Sequence, residues 1–324
     1  MGISYSLGSV LSINEVMECA TIIGKHSPDT VWIPETWGME NFSMLTMASQ
    51  KINNARIGSS IINIYSRSPA LIAMGAVTVD TISKGRLILG LGTSSVPIVE
   101  DFHGGSFKNP LSRMSEYIDI INLVVSKKKI DFTGKFFNLK GFTLLVKPIR
   151  EKIPIYIAAV NRKMTQLAWD KADGVIFYLR PLNELKETIK KFQSKRKIDV
   201  GCQIITAIDN DAEKAIERAK ITLAFYVSVG KIYREFLEKN GFANEVNNIY
   251  DEFKISGLKS NHELVTDGML KALTICGTPN DGIKKIEEFT NSGVTHPILQ
   301  FNPVGEVHDS VKTLTKTFSG IGYE

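Results

Sequence analysis

Two side chains that can transfer protons stand out in the sequence. Glu35 directly follows the apolar run 31–34, and His103 lies in the glycine-containing stretch 102–105. A carboxylate at the end of a strand can act as an acid, a base or a hydrogen-bond acceptor, and an imidazole can bind substrate or move a proton near neutral pH. We take both as candidate catalytic residues. A solvated carboxylate and a structural histidine are the alternatives.

Small and hydroxyl-bearing residues also cluster after several apolar runs. They are Ser6, Ser60 with Ile61 and Asn63, the group Gly92, Thr93 and Ser94, and the group Ala158, Ala159, Val160 and Asn161. Hydroxyls and backbone N–H groups donate hydrogen bonds, and small side chains let a ligand approach the backbone. These segments predict a site for a phosphate or a polar ring system, and hence for an anionic cofactor. Ordinary turns and helix starts are the alternative.

The sequence lacks the usual signatures of metal and nucleophilic catalysis. Its five histidines form no H-E-x-x-H pair, and neither a G-x-S-x-G elbow nor a P-loop occurs. We therefore expect no metal site. This pattern favours chemistry carried by a bound organic cofactor that the protein orients.

The elements that must position these residues follow from an alternation of short apolar runs and amphipathic segments. Eight runs predict strands, at 3–7, 30–34, 56–62, 86–92, 153–160, 174–179, 199–208 and 297–301. Nearly all are followed by a segment with helical spacing, which is typical of βα units around a parallel sheet. A closed (β/α)8 TIM barrel leaves no strand edge exposed, and its functional residues collect at the carboxyl ends of the strands. An open doubly wound sheet is less favoured, because no G-x-G-x-x-G follows the first strand.

We interpret residues 1–324 as one barrel domain with two excursions. Residues 130–146 predict a β-hairpin, and residues 240–276 keep no clean period and are treated as an insertion. The helices predicted at 42–51 and 69–82 carry more apolar residues than one barrel-facing stripe uses, which predicts an isologous homodimer. Close packing of small residues on the barrel is the alternative.

Composition narrows the class of protein further. Hydrophobic residues make up 43% and charged residues 23% of the 324 positions, which excludes a disordered, collagen-like or coiled-coil chain. The net charge of +5 comes from interspersed acids and bases, which argues against a nucleic-acid partner. Three cysteines without paired spacing, an N-terminus unlike a signal peptide and no run of about 18 apolar residues predict a cytoplasmic protein that does not span a membrane.

Several runs of the chain resemble the bacterial luciferase-like monooxygenase superfamily. They are 31–38 (VWIPETWG), 63–70 (NIYSRSPA), 78–92 (TVDTISKGRLILGLG), 102–104 (FHG), 110–117 (PLSRMSEY) and 153–159 (IPIYIAA). Within the superfamily, the chain most resembles the deazaflavin-dependent branch that includes methylenetetrahydromethanopterin reductase. The likeness covers most of residues 1 to about 180 and returns weakly at 276–279.

The resemblance implies a barrel that binds coenzyme F-420 or FMN at its C-terminal rim. It implies phosphate contacts at 92–94 and 158–161, and a non-prolyl cis peptide bond from Ser60 to Ile61 that forms a bulge behind the ring. Sugar-phosphate dehydrogenases of the superfamily carry a catalytic His after the second strand and a Glu after the fourth. This chain has Thr36 and Ser95 there, so we do not expect a sugar phosphate as substrate.

The leading hypothesis is an oxidoreductase that moves a hydride between coenzyme F-420 and a small organic substrate, with a methylene-tetrahydropterin-type compound as one candidate. We expect Glu35 to handle a proton or position the ring, and Trp37 and His103 to face the substrate. One alternative is an FMN-dependent monooxygenase supplied by a flavin reductase. The other is a flavin-binding barrel without catalytic activity.

Overall fold

The structure is a computed structural model that describes residues 2–8, 10–126 and 129–319. Its strands are β1 (Ser4–Ser6), β2 (Thr30–Ile33), β3 (Arg56–Ser59), β4 (Ile62–Asn63), β5 (Leu87–Gly92), β6 (Ile130–Thr133), β7 (Asn138–Phe142), β8 (Ile155–Ala158), β9 (Gly174–Tyr178), β10 (Asp199–Ile208), β11 (Thr274–Gly277) and β12 (His296–Phe301). Its α-helices are α1 (Ile13–Ile23), α2 (Asn41–Lys51), α3 (Pro69–Ile82), α4 (Pro110–Val125), α5 (Arg162–Lys171), α6 (Leu182–Gln193), α7 (Ala212–Val229), α8 (Lys231–Leu237), α9 (Ala243–Ser256), α10 (Asp267–Leu273), α11 (Pro279–Asn291) and α12 (Val307–Phe318).

Eight of these strands close into a parallel ring in chain order. The ring runs through β1, β2, β3, β5, β8, β9, β10 and β12, and β12 pairs back with β1. These are the eight strands that the sequence predicts. The (β/α)8 TIM barrel is therefore confirmed.

The core lies in two places, inside the ring and between the ring and its helices. Inside the ring, Trp32, Ile88, Tyr156, Ile176 and Ile298 form one buried cluster. Outside it, the apolar faces of the helices pack on strands that are apolar on their outer side. Strands covered on both faces are expected to be continuously apolar, as β5 is.

The two excursions differ in how regular they are. The predicted hairpin contains antiparallel β6 and β7, and residues 143–146 follow it without strand structure. The segment 240–276, which the sequence analysis treats as an insertion without a clean period, contains all of α9 and α10 and most of β11. Phe242, Val246, Ile249 and Phe253 repeat at helical spacing, but the intervening Asn residues have low helix propensity and obscure the pattern.

The extra strand, β11, extends the sheet at the rim. It pairs with residues 205–208 of β10, and at residues 205 and 206 the other edge of β10 pairs with β12. It therefore lies on the same edge of β10 as β9, beyond the point where that pairing ends. In the described part of the chain, no helix is both long enough and apolar enough to cross a membrane.

Candidate active site

The carboxyl ends of the strands form a polar mouth. Ser6 Oγ lies 3.5 Å from Ser60 Oγ across the ends of the first and third strands. Gln300 in β12 is the register partner of Ser6, and its Oε1 accepts from the hydroxyl of Tyr178, at the end of β9, at 2.7 Å. Gln300 Nε2 in turn donates to the hydroxyl of Tyr226 in α7 at 3.3 Å. Side chains from both halves of the sequence thus converge at one end of the barrel.

Three tyrosine rings pack edge to face beside this mouth. The Tyr178 ring centroid lies 5.0 Å from that of Tyr226 and 5.5 Å from that of Tyr233, with interplanar angles of 84° and 86°. Burial is the main cause that raises the pKa of the Tyr178 phenol well above its ordinary value. The phenol therefore stays protonated at neutral pH and acts as a hydrogen-bond donor.

The third strand bends at a non-prolyl cis peptide bond between Ser60 and Ile61, which confirms what the resemblance implied. The Ile61 side chain then lies over the end of β5. A Cβ atom on Gly92 would stand 2.4 Å from Ile61 Cδ1, closer than real Cβ contacts allow. A larger residue at position 92 would therefore force the Ile61 side chain to move.

Glu35 is held in an ion pair at the rim. Its two carboxylate oxygens accept from Nη1 and Nη2 of Arg67, each at 2.8 Å, and Oε2 also accepts from the backbone N–H of Asn41 at 3.1 Å. The two side chains are 9% and 14% exposed. Arg67 also pairs with Glu40 at 2.6 Å. The carboxylate therefore joins the end of β2, the start of α2 and the segment before α3.

The two predicted phosphate-binding segments lie side by side. They follow β5 and β8, which are neighbours in the ring with Leu91 opposite Ile157. Ser94 adopts a positive φ of 57°, and Asn161 caps α5 by accepting from the backbone N–H of Met164 at 3.0 Å. The start of α5 thus presents backbone N–H groups next to the segment 92–94, an arrangement that suits an anion.

Trp37 and His103 lie on loops outside the strand ends. Trp37 is 54% exposed, and His103 is exposed at the end of the π-helical turn Ile98–Phe102. The His103 ring packs edge to face on Phe102, with centroids 5.0 Å apart. Among the described residues, neither side chain forms a hydrogen bond with the groups of the mouth.

Two buried polar atoms at the rim have no partner in the described part of the chain. They are Nδ2 of Asn63, a residue that is 3% exposed, and Oε1 of Gln203. The other end of the Asn63 amide is used, since Oδ1 accepts from the backbone N–H of Tyr65 at 2.9 Å. A buried donor or acceptor without a partner is costly, and a ligand can supply the missing hydrogen bond. The polar edge of a flavin or deazaflavin ring carries both donors and acceptors, so these residues fit such a cofactor.

Sequence reasoning missed several members of the site. They are Arg67, Tyr178, Gln203, Tyr226 and Gln300. Three of them stand in the last strands of the ring, β9, β10 and β12, so the rule that selected residues after the first five strands also covers them. Arg67 precedes Ser68, the N-cap of α3, inside a run that carries the family resemblance, but its sequence neighbours do not reveal its partner.

A cleft of about 980 Å³ is lined by none of the side chains described above for this mouth. It is lined by α6, α10, α11 and neighbouring segments, including Glu184, Cys276 and Lys285. None of the residues predicted as site residues from the sequence lines it. The mouth of the barrel therefore remains the candidate active site.

The closed ring and its polar rim define a (β/α)8-barrel enzyme. The chain belongs to the luciferase-like monooxygenase family, whose model matches residues 3–296. A 5,10-methylenetetrahydromethanopterin reductase of Archaeoglobus fulgidus is 32% identical over 294 residues, which is 86% of each chain.

Two solved structures share the fold. The coenzyme F-420-dependent tetrahydromethanopterin reductase of Methanopyrus kandleri superimposes with a TM-score of 0.87 at 22% identity, over 98% of this chain and 97% of that one. An F-420-dependent secondary alcohol dehydrogenase, solved with an F-420–acetone adduct, gives 0.81 at 21% identity over 99% of each chain. At these identities the likeness concerns the fold.

Proposed function

We propose that the protein is a coenzyme F-420-dependent oxidoreductase that transfers a hydride between the deazaflavin and a small organic substrate. The observation that carries the proposal is the similarity to the Archaeoglobus fulgidus reductase along 86% of both chains. A methylene-tetrahydropterin-type compound is the proposed substrate class, since that relative is a methylenetetrahydromethanopterin reductase.

The rim supplies groups for each part of the cofactor. The segments 92–94 and 158–161 would hold the phosphate with hydroxyls, backbone N–H groups and the start of α5. The amides of Asn63 and Gln203 would bind the polar edge of the ring, with the Ser60–Ile61 segment behind it. When bound, the deazaflavin supplies a two-electron carrier that accepts or gives a hydride.

Glu35 serves best as a positioning residue in this proposal. Both of its oxygens accept hydrogen bonds from Arg67, and one also accepts from the start of α2. The carboxylate would therefore have to break the ion pair before it could accept a proton from a substrate. The pair instead fixes the loops on one side of the mouth. Trp37 and His103 stay proposed contacts of the substrate, because both are accessible on loops of the rim.

Cofactor titration tests the proposal. The purified protein is titrated with coenzyme F-420 and, separately, with FMN, and binding is followed by visible absorption and fluorescence. Binding of F-420 with weak or absent FMN binding is expected. Tight FMN binding without F-420 binding would instead support the monooxygenase alternative.

Turnover separates an enzyme from a binding protein. Under anaerobic conditions, reduced F-420 is mixed with methylene-tetrahydromethanopterin or methylene-tetrahydrofolate, and the absorption band of the oxidised deazaflavin is recorded. We expect the band to appear only in the presence of protein and substrate. F-420 capture without turnover by any acceptor would refute the catalytic role.

We also propose a homodimer formed through α2 and α3. The outer faces of these helices expose Met47 (46%), Leu71 (51%), Met74 (51%) and Ile82 (38%). Leu71, Met74 and Ile82 follow helical spacing and therefore form one stripe. The small residues Ala48, Ala73 and Ala76 are buried against the barrel, so the helices have a second apolar face that a second copy of the chain would cover.

A cytoplasmic location is part of the same proposal. Cys19, Cys202 and Cys276 are free thiols, as is usual for proteins of a reducing compartment.

A further inference from the structure

The phenol of Tyr226 keeps a proton that no described residue accepts. Its oxygen accepts a hydrogen bond from Nε2 of Gln300 at 3.3 Å, and within the described chain its own O–H group donates none. Tyr178 differs, because its hydroxyl proton is used in the bond to Gln300 Oε1 at 2.7 Å. The Gln300 amide therefore fixes one phenol as a donor to the protein and leaves the other with a free O–H group.

This free O–H group lies close to the position proposed for the cofactor ring. Gln300, which binds Tyr226, is the register partner of Ser6 in β1. Ser6 Oγ in turn lies 3.5 Å from Ser60 Oγ, at the cis peptide bond to Ile61 that is proposed to stand behind the ring. The Tyr226 side chain is partly exposed. A substrate bound in the mouth beside the ring is therefore within reach of this hydroxyl.

The side chains that face Tyr226 are uncharged. The Tyr178 ring packs on it from β9 with centroids 5.0 Å apart, and the Tyr233 ring packs on it from α8 with centroids 6.3 Å apart, both edge to face. Burial raises the pKa of both neighbouring phenols, so they stay protonated at neutral pH. Gln300 faces Tyr226 from β12. None of these three groups is a base that would take the Tyr226 proton.

The proposed reaction needs a proton in this mouth. A methylene group that bridges two nitrogens becomes a methyl group when it gains a hydride on carbon and when the nitrogen it leaves gains a proton. Glu35 has both oxygens bound by Arg67, and His103 is exposed on a loop outside the strand ends. A phenol with a free proton is a suitable general acid for this step.

We propose that Tyr226 is the general acid of the reduction. The inference rests on the proposed function and deepens it, because it names the proton donor. The Oη–H bond of Tyr226 breaks as the proton passes to one nitrogen of the bridge, and the bond from that nitrogen to the methylene carbon breaks with its electron pair left on nitrogen. The carbon then takes the hydride, with its electron pair, from the reduced deazaflavin.

The proton balance closes through solvent. Oxidation of the reduced cofactor releases one proton besides the hydride, and the Tyr226 phenolate takes up one proton from solvent. Until then, the N–H group of Gln300 stabilises the negative charge on the phenolate oxygen. Gln300 is therefore the positioning residue of the pair.

Kinetics of the F-420-loaded protein test the role of Tyr226. Reduced F-420 and the methylene compound that the wild type turns over are mixed anaerobically with the wild type, Tyr226→Phe and Tyr233→Phe. Tyr226→Phe keeps the ring and removes the hydroxyl, so we expect kcat to fall about hundredfold while KM changes less than about threefold. Tyr233→Phe should lower kcat less than Tyr226→Phe does.

Binding measurements separate proton donation from a structural role. Dissociation constants for oxidised F-420 and for the methylated product are measured by fluorescence, and Tyr226→Phe should match the wild type in both, which also shows that the variant is folded. Tyr250→Phe is the matched control. It removes a phenol hydroxyl from α9, where the Tyr250 ring packs on Arg234 and Phe253, and it should leave kcat, KM and both dissociation constants unchanged.

A second variant tests the same arrangement without altering Tyr226. Gln300→Met removes the N–H group that supports the Tyr226 oxygen, and kcat should fall, although less than in Tyr226→Phe. Combining the two changes should cost less than the product of the single effects, because both act on one proton transfer. If Tyr226→Phe does not fold, a wild-type kcat in Gln300→Met would overturn the inference.

The outcomes separate this inference from the proposed function. A wild-type kcat in Tyr226→Phe would overturn the inference, and so would a rise in KM alone, which assigns the hydroxyl to substrate binding. A larger loss in Tyr233→Phe would transfer the role to that phenol and also overturn it. If the wild type binds no F-420 or turns over no methylene compound, the proposed function itself fails and the inference fails with it.

Discussion

Inside the barrel, Trp32 Nε1 donates a hydrogen bond to His296 Nε2 at 3.2 Å, which joins β2 to β12. An indole N–H is only a donor, so Nε2 must be unprotonated and the imidazole neutral. Its other nitrogen, Nδ1, faces Asp29 Oδ1 at 3.4 Å. Burial lowers the pKa of His296 to about 4, although the nearby Asp29 carboxylate acts in the opposite direction.

This pKa predicts a loss of stability on mild acidification. Below about pH 6.5, the ordinary pKa of histidine, the unfolded chain binds a proton at His296 that the folded protein excludes. The stability that the neutral imidazole contributes is therefore fully present above this pH and is lost progressively towards pH 4. Between pH 7 and pH 5, the free energy of unfolding should fall by about 2 kcal/mol from this group. Urea denaturation at both pH values should show a smaller fall in His296→Gln, and an equal fall would contradict the assignment.

The Glu35–Arg67 pair predicts a specific pattern of energetic coupling. Glu35→Gln should lower the free energy of unfolding by about 2 kcal/mol, because it removes the more buried of the two carboxylates that pair with the Arg67 guanidinium. Adding Arg67→Gln should cost less in this background than in the wild type. Chemical denaturation of the two single variants and the double variant measures this difference.

The Glu35→Gln variant also distinguishes a positioning role of Glu35 from a role in proton transfer. If Glu35 positions the loops, Glu35→Gln changes the rate but leaves the pH profile of kcat with the same limbs. Disappearance of one limb in the variant would assign the proton transfer to Glu35.

Close packing of Gly92 against Ile61 predicts that a single added methyl group is harmful. Gly92→Ala should lower the free energy of unfolding by about 1–3 kcal/mol, because the new Cβ overlaps the end of the Ile61 side chain. Ile61→Ala removes the overlapping atoms, so the double variant should lose less stability than the sum of the two single variants. Simple additivity in thermal or chemical denaturation would argue against this contact.

The exposed stripe on α3 predicts that one charge dissociates the dimer. Met74→Glu places a carboxylate in the middle of the stripe, and light scattering at micromolar concentration should show the mass of one chain instead of two. Ile255→Glu is the matched control, since Ile255 is 83% exposed on α9 and should leave the mass unchanged. A monomeric wild type would refute the dimer.

A large part of the architecture is readable from the sequence because it depends on local pattern. The bounds predicted for residues 69–82 and 199–208 agree with α3 and β10 as observed. In these segments an amphipathic period or a continuous apolar run is bounded by polar residues, and each element forms where its own side chains can be buried. The segments 92–94 and 158–161 follow from the same pattern, since they begin where strands end.

The chemistry of the mouth was decided by the tertiary structure. Gln300 meets Tyr178 across 122 positions of the chain, and Arg67 meets Glu35 across 32. Each of these side chains has several potential partners in an isolated segment, and local spacing does not choose among them. Closure of the eight-stranded ring brings the strand ends together and leaves Oε1 of Gln203 without a partner among the described residues. The sequence determined which residues reach the rim, whereas only the closed barrel decided which of them are satisfied by one another and which are left to bind a ligand.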